Sequence, residues 1–308
     1  MAEEMSGDLI SSFASDCRTR GLGEPTIIQY CSKVAKLQAF FQVRGKTLQQ
    51  ADRLDIRDYV ESLRVQGLKT QTIRIQLAAL ASFYGWLVFE GRAMANPVLE
   101  VRRRLTSYKA AGEAETHQLI SVEEAAALVE SIVHIRDKAL MLLLLKTGIR
   151  RGELISLDVD CINWQNQSLT LKLTKKRSNR TVFFDDEAAY YLKRWLEIRG
   201  MRRGADGPAL FLSHQGGRLQ EGAIDRLIRK AAVRVGLHDE SSESLDQHFS
   251  AHSCRHWMTT HLLRSGMKRE YVQWLRGDAI KEAVDIYFHV NSEDVRKQYL
   301  AHIPQLGV

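Results

Sequence analysis

Residues 250–256 read SAHSCRH, and they open the stretch around which the rest of the sequence is organised. A helical-looking run follows over 257–266, and the stretch ends at residues 285–290, which read DIYFHV. It contains an arginine suited to holding a phosphate, a histidine able to move protons and, further downstream, a tyrosine. Together these residue types indicate chemistry at a phosphate group.

The length and composition of the chain indicate which class of protein it belongs to. A chain of 308 residues is long enough for two domains, and 44% hydrophobic with 26% charged residues is typical of a soluble globular protein. The net charge of +7 lies mostly in the C-terminal two thirds and favours a polyanionic partner, although charge alone says nothing about the fold.

The cysteines Cys17, Cys31, Cys161 and Cys254 are scattered and form neither a CxxC motif nor a Cys/His cluster. This spacing argues against a zinc site or a disulfide framework and favours free thiols inside the cell. No apolar run reaches the roughly 18 residues needed to cross a bilayer, and the N-terminus is unlike a signal peptide. We therefore expect a cytoplasmic protein without a membrane partner.

The periodicity of apolar residues predicts a fold that is mainly α, with an α+β second part. Over residues 1–100, apolar side chains recur at a helical period between glycines, which predicts a bundle of about four short helices. Residues 101–117 then read as a basic linker between domains. Its triplet, Arg102, Arg103 and Arg104, is either a solvated turn or a contact with a nucleic-acid backbone.

Residues 118–308 form the predicted second domain. β-type runs at 168–173 and 181–184 indicate a β-hairpin, and helices are expected near 186–199, 220–236 and 255–266. The apolar run 139–145 is better read as a buried helix than as a membrane span. The turn of the hairpin is basic and contains Lys175, Lys176, Arg177 and Arg180.

Four segments carry a resemblance to a known family. Residues 147–154 (TGIRRGEL) resemble the first arginine box of the tyrosine recombinases, the phage-integrase and Xer family, and residues 252–256 match its His-x-x-Arg box. Lys175 is similar to the lysine of the family's β-hairpin, and residues 286–289 (IYFH) resemble its nucleophile box. The order and spacing agree, and residues 1–100 resemble the family's core-binding domain, so the resemblance covers nearly the whole chain.

The resemblance implies a role for each matched residue. Arg150 and Arg255 would hold the two non-bridging phosphate oxygens, and Tyr287 would become joined to the 3′ phosphate. Lys175 would protonate the leaving 5′ hydroxyl, with Lys176 as an alternative, and His252 would act as a base or as a phosphate donor. The covalent bond stores the energy for rejoining, so neither ATP nor a metal is expected.

Two further residues belong to this scheme. Glu153 lies three residues after Arg150 and is expected to orient it, although a surface ion pair explains the same spacing. Asp278 stands where the family usually has His or Trp, and an ionised aspartate cannot donate a hydrogen bond to the phosphate. We expect it to pair with Arg276 or Arg255, or to stay protonated.

The expected function is site-specific recombination or integration of double-stranded DNA through a covalent 3′-phosphotyrosyl intermediate. Residues 1–100 and 118–308 would clamp the duplex, and four copies would act on two DNA sites, with an accessory DNA-bending protein as a further partner. The alternatives are a DNA-binding regulator weakened in catalysis, a topoisomerase-like relaxing enzyme, and a Xer-type dimer-resolution recombinase in place of a mobile-element integrase. The segment that follows Tyr287 either docks on a neighbouring copy, through Ile303, Leu306 and Val308, or is a frayed end.

Overall fold

The computed structural model describes residues 2–107, 118–172, 181–242, 244, 247–278 and 291–308. Within the first of these ranges, the side chains of residues 9–105 are described. The chain divides into two compact units, Met1–Glu113 and Ala114–Val308. Within the described residues it is mostly helical with one small sheet, which confirms the predicted fold class.

The first unit is a helical bundle. Its helices are α1 (Ala2–Thr19), α2 (Glu24–Gln42), the 3₁₀ helix η1 (Leu48–Gln50), α3 (Arg53–Val65), α4 (Thr70–Phe89) and α5 (Val98–Ser107). The start of α3 is fixed by Asp52, whose side chain accepts hydrogen bonds from the backbone N–H groups of Leu54 and Asp55. The aromatic side chains of Phe13 and Phe83 pack edge to face in the core.

Helix α4 is the one helix of the described chain that is long and apolar enough to cross a membrane by length and composition alone. Of its 18-residue apolar window, 56% is buried inside the protein. Leu77, Leu80 and Phe83 are fully buried in the core of the first unit. This burial is that of a core helix.

Two helices of the first unit were not expected from the sequence. Helix α1 lies within the predicted bundle, but no helical period was identified in its residues. Helix α5 begins at the end of the predicted bundle and extends into the first part of the predicted basic linker. Val98 is fully buried, and Val101 and Leu105 pack against the same core. Residues 98, 101 and 105 share one face of a helix, and that spacing gives α5 the apolar face that the linker prediction missed.

The second unit surrounds α7, a nearly continuous apolar helix. Its elements are α6 (Val122–Glu130), α7 (Ile135–Thr147), α8 (Arg151–Ser156), the 3₁₀ helix η2 (Val159–Cys161), β1 (Ile162–Asn163), β2 (Ser168–Thr170), β3 (Thr181–Phe183), α9 (Asp186–Gly200), α10 (Glu221–Arg234), α11 (Ala251–Arg264), α12 (Arg269–Arg276) and α13 (Ser292–His302). Every residue from Ala139 to Thr147 is buried, as the apolar run predicts.

The three strands form an antiparallel sheet in the order β1-β2-β3. Leu169 of β2 pairs with Ile162 on one side and with Val182 of β3 on the other. This pairing confirms the two strands of the predicted hairpin. The basic turn between them, residues 173–180, lies outside the described residues.

The C-terminal segment packs on its own chain. Ile303 and Leu306 are buried in the core of the second unit, and Val308 packs against it. The expectation that these residues dock on a neighbouring copy or fray is therefore not met here, because their own unit offers an apolar surface for them.

A buried cluster of charged groups holds this segment. The ammonium of Lys146, fully buried at the end of α7, lies 2.6 Å from Asp185 Oδ2 and 2.5 Å from Glu187 Oε2. It also donates to the carbonyl oxygen of Pro304 at 2.5 Å. Glu187 in turn accepts hydrogen bonds from the backbone N–H groups of Leu306 and Gly307. The tail is thus anchored by one cation and two carboxylates, since Asp185 also accepts a hydrogen bond from the side-chain amide of Gln305.

Candidate active site

The turn that presents Arg150 depends on a glycine. Helix α7 ends at Gly148, which adopts the left-handed conformation with φ of 58°. A Cβ atom at this position would overlap Cε of Met258 on α11. The hydroxyl of Thr147 donates to the carbonyl of Leu143 at 2.6 Å and closes the end of the helix. Glycine is required here both for its φ angle and for its lack of a side chain.

Arg150 directly follows this turn as the N-cap of α8, with its side chain 47% exposed. Its backbone N–H donates to Glu153 Oε2 at 2.7 Å, and its guanidinium Nη1 lies 3.4 Å from Glu153 Oε1. Because Glu153 is only 7% exposed, its carboxylate is held in place and contacts Arg150 at two points. This geometry is the one that an orienting role for Glu153 requires.

Arg255 on α11 is buried, with 5% of its side chain exposed. Its Nη1 donates to the carbonyl of Gly148 at 2.8 Å, and its Nη2 donates to the carbonyl of Arg276 at 2.9 Å. These bonds tie the turn before Arg150 to the end of α12. The two arginine boxes, more than a hundred residues apart in sequence, are thereby brought into one structure.

His252 lies in the first turn of α11, whose start is capped by Ser250 and Ser253. Its ring is exposed and packs edge to face against His256, with centroids 4.6 Å apart. Cys254, between His252 and Arg255, points into the core, where burial raises the pKa of its thiol to about 12. This cysteine therefore stays protonated and serves packing.

A cleft of about 330 Å³ joins these side chains. Arg150, His252 and Arg255, three of the residues assigned from sequence, all line it. The remaining lining residues are Ile149, Arg151, Gly152, Glu221, Asp225, Ser250 and Ala251. Two guanidinium groups and an imidazole facing one cleft can bind an oxyanion and exchange a proton with it.

One pair of contacts in this cleft was missed by the sequence analysis. Arg151 forms ion pairs with Asp225 and with Glu221 of α10, the latter at 2.6 Å. These two hydrogen-bonded ion pairs link α8 to α10 at the rim of the cleft. Only the packing of α10 reveals these two partners of Arg151, so no local motif could have predicted them.

Asp278 lies beside Arg255 and Arg276. Its Oδ2 is 3.0 Å from Nε of Arg276, and its Oδ1 is 3.6 Å from Nη2 of Arg255. Both pairings named as alternatives from the sequence are therefore present together.

The other assigned residues are not placed in this cleft by the described part of the chain. Lys175, Lys176, Arg177, Arg180 and Tyr287 lie outside the described residues, so their roles stay predictions. The triplet Arg102, Arg103 and Arg104 is exposed on α5 of the first unit. Among the described residues, no group of three His, Cys, Asp or Glu side chains is arranged to hold a metal ion.

Comparison with known proteins finds family matches in both units of the chain. The model of the phage integrase family matches residues 113–294, more than half of the chain, and the phage integrase N-terminal SAM-like domain matches residues 11–91. The chain belongs to the phage integrase family. It is therefore a site-specific tyrosine recombinase, an enzyme that cleaves and rejoins DNA strands, as the motifs predicted.

Individual relatives extend over most of the recombinase. It is 30% identical to tyrosine recombinase XerC of Alcanivorax borkumensis over 246 residues, which cover 80% of this chain and 77% of that protein. It is 26% identical to tyrosine recombinase XerC of Shigella flexneri over 293 residues, 93% of this chain and 92% of that protein.

Solved structures share the fold at lower identity. The Tn1549 transposon integrase in complex with circular intermediate DNA has a TM-score of 0.70 at 16% identity, covering 94% of this chain and 98% of that one. A lambda integrase dimer bound to a COC′ core site has a TM-score of 0.66 at 18% identity, covering 92% and 97%.

Proposed function

We propose that this recombinase cleaves a specific site in double-stranded DNA with Tyr287 as the nucleophile. The observation that carries the proposal is the cleft in which Arg150, His252 and Arg255 come together. A cleft that is lined by two arginines and a histidine suits a phosphodiester whose charge increases during the reaction.

In the proposed first step the phenolic oxygen of Tyr287 attacks the scissile phosphorus. A free tyrosine has a pKa near 10, so the phenol must lose its proton during attack, and His252 accepts it. The new bond joins the tyrosine oxygen to the 3′ phosphate, and the bond between phosphorus and the 5′ oxygen breaks. Lys175 gives a proton to the departing 5′ oxygen. The reverse steps, with a 5′ hydroxyl of the partner strand as attacker, rejoin the DNA.

The two arginines hold the non-bridging oxygens throughout these steps. A planar guanidinium matches the geometry of a phosphate better than an ammonium does, and it stays charged at all relevant pH values. Arg255 needs little reorganisation, because two backbone carbonyls already fix its guanidinium. Glu153 plays the corresponding part for Arg150, whose backbone N–H and guanidinium it contacts.

The partner in this proposal is duplex DNA, bound by a clamp of the two units. DNA is bound in the Tn1549 and lambda integrase structures that share this fold, which supports the assignment. The exposed triplet Arg102, Arg103 and Arg104 would contact the phosphate backbone, as would Lys176, Arg177 and Arg180 of the hairpin turn. We further propose a tetramer on two DNA sites in the cytoplasm, with an accessory DNA-bending protein.

The test of this function uses nicked duplexes made from the DNA that flanks the gene of this protein. The protein is incubated with them without metal or ATP, and the products are separated on a denaturing gel. We expect a protein–DNA adduct that is absent for Tyr287→Phe, while that variant still binds the duplex. Specific binding without any adduct in the wild-type protein would instead favour a regulator that acts by occupying its site.

A Xer-type role is the second candidate, and the names of both curated relatives favour it. A second set of duplexes, taken from the region of the host replicon where dimers are resolved, separates the two roles. Adducts on this set alone support the Xer-type role. Adducts on the gene-flanking set alone support a mobile-element integrase.

A further inference from the structure

Asp278 brings a negative charge next to the arginine that we assign to the scissile phosphate. Its Oδ1 lies 3.6 Å from Nη2 of Arg255, whose side chain is only 5% exposed. Asp278 itself is 31% exposed and also pairs with Arg276. Because Arg255 is buried, solvent screens this interaction less than it screens a surface ion pair.

The backbone of Asp278 is held in the turn that ends α12. Helix α12 ends in a Schellman motif, in which Gly277 adopts φ of 60° and the N–H of Asp278 donates to the carbonyl of Gln273. The carbonyl of Arg276, in the same turn, accepts the hydrogen bond from Nη2 of Arg255. One turn therefore positions both the guanidinium and the carboxylate beside it.

We propose that Asp278 competes with the scissile phosphate for Arg255. In the protein without DNA the carboxylate neutralises part of the charge of the guanidinium. A phosphate that reaches Arg255 meets a like charge close by, and must displace or outweigh the carboxylate. Asp278 is thus a brake on phosphate binding, and this inference rests on the proposed role of Arg255 as a phosphate ligand.

A positioning role for Asp278 makes the opposite prediction. If the carboxylate mainly orients Arg255, its removal loosens the guanidinium and weakens phosphate binding. If it competes, Asp278→Asn keeps the shape of the side chain, removes the charge and strengthens binding. From the energy of a partly exposed ion pair we expect phosphate affinity to rise by about fivefold in this variant.

The experiment measures thermal unfolding of the full-length protein as inorganic phosphate replaces chloride at constant ionic strength. A ligand that binds the folded state raises the unfolding midpoint with concentration, so the titration gives the affinity. Four proteins are compared: wild type, Asp278→Asn, Asp160→Asn and Arg150→Gln. Asp160 is exposed on η2, and its substitution changes the net charge by the same amount. Arg150→Gln removes a proposed phosphate ligand while leaving the backbone cap of α8 in place.

We expect tighter phosphate binding in Asp278→Asn alone and weaker binding in Arg150→Gln. If Arg150→Gln weakens binding but Asp278→Asn binds phosphate no better than wild type, the competition is refuted and the phosphate site stands. If Arg150→Gln binds as well as wild type, or no protein responds to phosphate, the proposed phosphate site itself fails and the inference falls with it.

Discussion

Gly148 shows how much of the site depends on a single residue. It ends α7, lies next to Ile149 and Arg150, and its carbonyl accepts a hydrogen bond from Arg255. Any larger side chain there would meet Met258 on the neighbouring helix α11. The turn before Arg150 therefore lies where α7 and α11 approach each other closely.

We predict that Gly148→Ala destabilises the protein by more than the strain of a left-handed residue alone. A matched control is Gly236→Ala, because Gly236 also has a positive φ, of 74°, but nothing lies within 4 Å of its added Cβ. We expect a loss of about 1 kcal/mol for the control and about 2–4 kcal/mol for Gly148→Ala, since overpacking adds to the strain. Urea unfolding measures both, and equal losses would refute the steric argument.

At this scale the sequence predicted much of the site. Arg150, His252 and Arg255 were assigned from short motifs, and the structure places all three in one cleft. The partners of Arg151 were not predictable, since Asp225 is 74 residues away and its position depends on how α10 packs. Asp278 was expected to pair with Arg276 or Arg255, but only the geometry of the turn shows that it pairs with both.

At the scale of elements, the buried charges around Lys146 connect the end of α7, the start of α9 and the C-terminal segment. The sequence predicted that α7 is buried, but Lys146 within it gave no sign of its partners. Helices α1 and α5 were also missed. Helix α5 was hidden by its arginine triplet, which outweighs the narrow apolar face of residues 98, 101 and 105.

We predict that Lys146→Met destabilises the protein and loosens the C-terminal segment. The substitution leaves the carboxylates of Asp185 and Glu187 without a cation in a buried site, which costs about 3–5 kcal/mol. Lys297→Met is the control, because Lys297 is exposed on α13. Urea unfolding gives the stability, and limited proteolysis reports the loosened segment. A variant as stable as the control would contradict the anchoring role.

The same cluster predicts a dependence of stability on pH. Burial raises the pKa of Glu187, but hydrogen bonds from Lys146 and from the backbone of Leu306 and Gly307 outweigh it, so the pKa lies below its ordinary value. The stabilisation is therefore complete above the unfolded-state pKa of about 4.3 and is lost as the pH falls through the folded-state pKa.

The measurement compares the free energies of unfolding of wild type and Glu187→Gln at pH 7 and at pH 4. We expect wild type to be the more stable at pH 7 and the difference to shrink at pH 4. Differences that are equal at the two pH values would show that the charge of Glu187 does not contribute.

At the scale of the whole molecule, the chain has two units with separate cores, and its net charge of +7 supports the proposed polyanionic partner. We predict that DNA affinity falls by about a hundredfold between 50 and 200 mM salt if four phosphates are neutralised, because counterions are released. Substituting Arg102, Arg103 and Arg104 by glutamine should reduce the slope. Fluorescence anisotropy measures both, and an affinity that does not change with salt would contradict the clamp.

The central claim is that Tyr287, among the nine tyrosines of the chain, becomes joined to DNA. Burial raises the pKa of Tyr299, Tyr84 and Tyr59, which makes these three poor nucleophiles. The most direct measurement digests the trapped adduct with nuclease and trypsin and identifies the modified peptide by mass spectrometry. We predict a nucleotide on the peptide of residues 282–296, whose single tyrosine is Tyr287. A nucleotide on any other tyrosine-containing peptide would contradict the account.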